Sequence, residues 1–204
     1  MIGFFFSVLK DIVLTLTAIT GAYVALKGLS TWKRQISGQA NYSLSKSLLV
    51  NLYKYRDIIS SIRHPAMSGR ELNQSTPDEI ANMNESQARF HNTHKAYEAR
   101  WKRISEIRPE IYANIIEAEA LWGVEIVNLW DDVTKKENDL LIALRDYLEY
   151  LNPDIDRSDK EYLRGEHRNV RRIVFEGGDD DPFKTDFDLK LNEITKYIKK
   201  KIKN

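Results

Sequence analysis

Residues 4–34 read FFFSVLKDIVLTLTAITGAYVALKGLSTWKR. From Phe4 to Leu26 the side chains are apolar or small, interrupted by the adjacent pair Lys10-Asp11. A helix needs roughly 20 mostly apolar residues to cross about 30 Å of hydrocarbon, and this run meets that length. A basic collar of Lys27, Lys33 and Arg34 follows, with Trp32 set inside it. The pattern predicts one transmembrane anchor with its juxtamembrane collar over residues 1–36. A second unit, cytosolic and helical, covers 37–204.

A cleaved signal peptide is the rival reading. It calls for a positively charged start, a short apolar core and a small-residue cleavage site. Here no basic side chain precedes the Phe4-Phe5-Phe6 cluster, and Thr20-Gly21-Ala22 matches a cleavage site loosely. The apolar stretch also runs on through Gly28-Leu29-Ser30-Thr31-Trp32, which favours an uncleaved anchor. Because the basic residues flank its C-terminal side, the positive-inside rule places the N-terminus outside the inner (cytoplasmic) membrane and the domain in the cytoplasm. Lys10-Asp11 is costly at depth. Either Met1–Leu9 lies at the interface with Lys10 snorkelling, or the charges face partner helices around an aqueous cavity.

Thr17, Gly21 and Ala25 recur every four residues, as do Ala18 and Ala22. Ridges of small residues let helix backbones approach closely inside lipid, where no hydrophobic drive favours association. These five residues are the expected oligomerisation surface of a homo-oligomer.

The remaining residues are enough for one folded unit: 30% of the chain is charged and 42% hydrophobic, a globular balance. A net charge of +1 gives no global pull towards nucleic acid and leaves only local basic patches to consider. With no cysteine, disulfides, thiolate nucleophiles and cysteine-ligated zinc are excluded.

Beyond the anchor the period is helical almost throughout. Leu44, Leu48, Leu52, Tyr55, Ile59 and Ile62 mark one face, ended by His64-Pro65. Residues 66–75 read as a loop. Thr76-Pro77-Asp78-Glu79 then opens a helix with a capping box, and its seam runs Ile80, Met83, Gln87, Phe90, His94, Tyr97, Trp101, Ile104. Arg108-Pro109 predicts a kink or a new start. The seam then resumes at Tyr112, Ile115, Glu119, Trp122, Ile126, Leu129 and Val133, and a polar stretch over 131–139 predicts an interruption. Leu141, Leu144, Leu148 and Leu151 continue the pattern to Asn152-Pro153. Residues 154–172 are charge-rich, Arg171 to Phe175 reads as a short extended piece, and residues 176–182 form a loop. Phe187, Leu191, Ile194, Ile198 and Ile202 carry a last helix among Lys196, Lys199, Lys200, Lys201 and Lys203. The fold class is all-α: an N-terminal transmembrane helix followed by an antiparallel cytosolic helical bundle.

Three polar residues fall on predicted core seams: Gln87, His94 and Glu119. Polar groups in a core need hydrogen-bond partners, so a buried network is the expected reading. His91, His94 and Glu98 share a metal-strip spacing but lack the His-Glu-x-x-His pattern, so no metal is assigned. Asp179-Asp180-Asp181 lacks the alternation of a calcium loop and reads as a solvated turn. No phosphate loop, nucleophile elbow or other cofactor motif occurs, so no cofactor and no enzymatic activity are expected.

Arg89 and His94 fit an Arg-x4-His pattern that resembles the motif of HEPN domains. The resemblance implies metal-independent RNA cleavage, with His94 as acid or base and Arg89 stabilising phosphorane charge. Five residues on one helix place the two side chains about 140° apart, which disfavours joint action within one protomer.

Gly28 to Gln35, Tyr53 to Ile59 and Arg63-His64-Pro65, with Ala118 to Gly123 and Gly178 to Phe183, resemble a widespread group of bacterial membrane-anchored helical proteins without assigned activity. Anchor plus helical domain is also similar to the HEPN-like membrane accessory proteins of type VI-B CRISPR systems. That resemblance implies membrane assemblies in anti-phage defence. The expected function is a non-enzymatic, membrane-anchored protein that self-associates and binds a cytosolic protein partner, a membrane-acting or pore-forming effector. The alternative is a tethered HEPN-like RNase or RNA-binding protein.

Overall fold

The computed structural model describes residues 2–178 and 180–202, with the backbone alone at 2–9, 11 and 12. Among the described residues all regular structure is helical. The apolar N-terminal stretch and the first core-facing segment are one element, α1 (Ile2–Arg63). Its 62 residues extend about 90 Å at 1.5 Å per residue. No proline interrupts it until Pro65. Residues 13–40 are exposed, and among the described side chains the first buried one is Leu44.

From Leu44 onwards α1 behaves as a core helix. Leu48, Leu52, Tyr55, Ile59 and Ile62 are buried on the face their spacing predicted. The long partners are α4 (Glu85–Trp122), α5 (Glu125–Leu151) and α7 (Pro182–Ile202). α1 packs on α4 and α7, and α5 packs on the same two, so four helices surround one core. α6 (Arg157–Val174) lies on α5, and the short α2 (Gly69–Leu72) lies on α4. Trp130, Ile104, Ile111, Ile126, Leu140 and Ile194 fill the centre.

Several boundaries differ from expectation for identifiable reasons. The capping box at Thr76 starts only a four-residue helix, α3 (Pro77–Ile80). The long helix begins instead at Asn84, whose Oδ1 accepts from the backbone N–H groups of Ser86 and Gln87. Pro109 sits within α4 without ending it. The 3.6 register therefore carries on from Ile104 to Ile111, Ile115 and Ala118: Ile115 is buried as its spacing predicted, while Ile111 and Ala118 take the inward places expected of Tyr112 and Glu119. Residues 131–139 do not interrupt α5, and Arg171 to Val174 are helical rather than extended. α4 ends at Gly123, whose φ of 90° suits glycine and whose N–H donates to the Glu119 carbonyl.

Candidate functional site

The exposed half of α1 is the first candidate. Thr17, Ala18, Gly21, Ala22 and Ala25 are all exposed, and a Cβ built on Gly21 would meet nothing within 4 Å. Thr17 Oγ1 donates to the Val13 carbonyl and Thr20 Oγ1 to the Leu16 carbonyl, each at 2.8 Å. Both hydroxyls are thereby satisfied within the helix, as a hydrocarbon environment requires. Leu14, Leu16, Ile19, Val24 and Leu26 point outward between them. The charge of Asp11 lies outside the described side chains, while Lys10 is exposed.

The predicted polar seam is not the buried one. Gln87 is half-buried at the start of α4, where its Oε1 accepts from Asn84 N–H and its Nε2 donates to Asp154. His94 is partly exposed, with Nδ1 3.7 Å from Glu98 and its ring against Phe90. Glu119 is exposed, because the uninterrupted register of α4 turns it away from the core. Arg89 is exposed and pairs with Glu85 at 2.8 Å, so Arg89 and His94 engage different partners. Among the described residues no three metal-ligating groups cluster.

Three other polar centres are buried instead. The first joins three helices at mid-core. Tyr55 Oη donates to Glu137 Oε2 at 2.6 Å, and Arg108 of α4 pairs with Glu137 Oε1. Burial pushes the Tyr55 hydroxyl well above its usual pKa, and the adjacent Glu137 charge adds to the shift. Tyr55 therefore stays a neutral donor, flanked by Trp130 and Phe187.

The second centre clasps the chain ends of the helices. Arg63 donates to the carbonyls of Ile173, Arg172 and Phe175 and pairs with Asp181 at 2.9 Å, both side chains 3% exposed. Its guanidinium also lies 4.4 Å from the Phe183 ring centroid. Burial works against the Asp181 charge, but the backbone N–H groups of Lys184 and Gly177 together with Arg63 hold its pKa below the usual range. Asp181 is thus a buried ion-pair partner and N-terminal anchor of α7, not part of a solvated turn. Asp180 beside it is exposed, and Asp179 lies outside the described residues.

The third centre is Arg100. It donates to Glu71 at 2.7 Å and to the carbonyls of His64 and Ala66, fastening the 64–72 connection to α4. The hydrogen bond from Arg100, with others from Ser68, lowers the Glu71 pKa to about 2.

Glu137 was detectable by the test that singled out Glu119. It falls on the seam Val133, Glu137, Leu140, Leu144, hidden only by reading 131–139 as an interruption. Arg63 and Arg100 carry no comparable local signal, since their partners, carbonyls and one carboxylate each, lie far along the chain.

Surface grooves lie outside these centres. One of about 490 Å³ between α4 and α5 is lined by Phe90, His94, Tyr97, Trp101, Leu144 and Leu148. Another of about 630 Å³ lies beside α6, with Arg168, Arg171 and Arg172 on its wall. None of the three buried ionic centres presents a free nucleophile or an unpaired acid–base couple. Comparison with protein-family models, curated proteins and solved structures gives no match.

Proposed function

We propose that the protein is a single-pass, membrane-anchored helical domain that works by assembly and binding rather than by catalysis. The observation that carries this reading is the contrast within α1. One continuous helix is wholly exposed and apolar over residues 13–26, then buried in the core from Leu44. An apolar helix face of that size requires cover by lipid or by other helices. Continuity of the helix into the core supports an anchor over a removable leader, and complete exposure disfavours a soluble core helix. Phe4 to Leu26 extends about 35 Å, long enough for the hydrocarbon layer.

The collar of Lys27, Lys33 and Arg34 supports an inner-membrane location with the helical domain in the cytoplasm. The end contacts support an antiparallel bundle: Trp122 Nε1 of α4 donates to Asn41 of α1, while Arg63 meets the start of α7. The ridge of Thr17, Gly21 and Ala25, with Ala18 and Ala22, supplies the self-association surface. Membrane action in anti-phage defence is the process this architecture is proposed to serve. The HEPN-like alternative draws no support from the separate pairing of Arg89 and His94.

The test is the mass of full-length protein in detergent, beside Ala18→Leu and Ala22→Leu variants. A closed oligomer weakened by the leucines supports the reading. A monomeric wild-type protein overturns the assembly claim.

A further inference from the structure

α6 carries six arginines and lysines among its 18 residues, and packing takes up few of its side chains. Only Val170 and Val174 are buried, with the His167 ring against Tyr147 and Tyr150. Arg157, Lys160, Arg164, Arg168 and Arg171 follow at spacings of three, four, four and three, so they share one face about 21 Å long. All five are exposed, and Arg172 flanks them. Among the described residues, only Arg157 has a salt-bridge partner, Glu161 at 3.6 Å. Arg171 lies over the Phe175 ring at 5.4 Å, and both residues line the groove. The groove's other acidic residues are largely spoken for: Asp181 by Arg63, Glu176 by Lys184 and Ser60, leaving Asp180.

We infer that this face of α6 binds the sugar–phosphate backbone of nucleic acid. Unpaired cations aligned on a helix mark a site for a polyanion, and there are three candidate polyanions. An anionic bilayer is too far: Arg63, which holds the end of α6, lies 29 residues beyond Arg34, about 44 Å along α1. That is several Debye lengths at physiological salt. An acidic protein surface is the second, but stable protein interfaces centre on apolar or aromatic anchors, and the ring beside this face, Phe175, is half-buried and covered by Arg171. Phosphate is the third, and it fits the composition. Arginine outnumbers lysine five to one on the stripe and its flank, and guanidinium groups bind phosphate oxygens in pairs. Backbone contacts of this kind give affinity without sequence preference. The distance argument rests on the anchored reading; the charge argument does not.

The experiment uses the full chain in phosphatidylcholine nanodiscs, titrated into labelled 20-nucleotide single-stranded and duplex RNA and DNA. Binding through about four phosphates loses roughly 50-fold in affinity between 50 and 200 mM salt on a single strand. Arg164→Glu, Arg168→Glu and Arg171→Glu together should weaken binding at least about tenfold, and the glutamine triple variant by less. An equal charge change on α7, at Lys196, Lys199 and Lys200, should leave it unaltered. Absence of binding by wild-type protein at 50 mM salt overturns the inference. So does equal loss in the α7 variant, or displacement by polyglutamate as readily as by nucleic acid. Failure of the chain to enter nanodiscs would strike the anchored reading instead.

Discussion

The two halves of α1 share one backbone and differ in everything that surrounds them. Residues 13–40 are exposed throughout, whereas Leu48 and Leu52 are 0% exposed and Tyr55 1%. The outer half holds the unburied 18-residue window of mean hydropathy 1.4, but hydropathy alone does not say which way a side chain faces. Pattern does. Over residues 13–26 the outer half is apolar around its whole circumference, as a lipid-facing helix is; the inner half confines its apolar residues to one face. The inner half also carries polar side chains with fixed partners, and the outer half folds its hydroxyls back on itself.

Perturbations should therefore act on stability in one half and on membrane behaviour in the other. The largest effect is expected from Arg63→Met. It leaves Asp181 buried without its cation and three carbonyls without their donor, a loss of about 3–5 kcal/mol. Urea unfolding of the full chain in detergent measures it; a loss under 1 kcal/mol would show that the clasp is dispensable. Leu52→Ala opens a cavity in the same half, costing about 2–5 kcal/mol in the same assay.

Tyr55→Phe keeps the ring and removes the donor to Glu137, for about 1.5–3 kcal/mol, because the lost bond is to a charged group. In the outer half, Ala22→Leu should leave unfolding unchanged and alter detergent-solubilised mass instead. Arg89→Ala, exposed and paired only with Glu85, should stay within about 0.5 kcal/mol.

Acid supplies a separate test of the inner half. Asp181 and Glu71 have folded pKa values below their unfolded ones, the latter at about 2. The unfolded chain then binds more protons, so their contribution is full above the ordinary carboxylate range and fades as pH falls through the folded values. Stability measured from pH 5 to 2 should decline, and the Arg63→Met variant should decline less. An identical slope in both proteins would contradict the clasp.

Much of this contrast was legible in the sequence. Leu44 to Ile62 gave its buried face through spacing alone, and the long apolar N-terminal helix declared itself by its length. The helix boundaries were harder, because Pro109 and the charges of 131–139 suggest breaks that tertiary packing overrides. Once α4 was cut at Pro109 its register slipped, and Glu119 was placed inward in error. The candidate site was least legible. Arg63 and Asp181 lie 118 residues apart, and no local periodicity pairs them. The stripe on α6 was visible only as a charge-rich run until helicity to Val174 aligned it.

The central claim is that lipid, not water, surrounds the outer half of α1. The chain has no cysteine, so single cysteines at Leu16, Val24 and Lys46 can each carry a spin label without background. In reconstituted bilayers, the account predicts high oxygen and low nickel-chelate accessibility at residues 16 and 24, and the reverse at residue 46. Chelate accessibility as high at residues 16 and 24 as at residue 46 would contradict it.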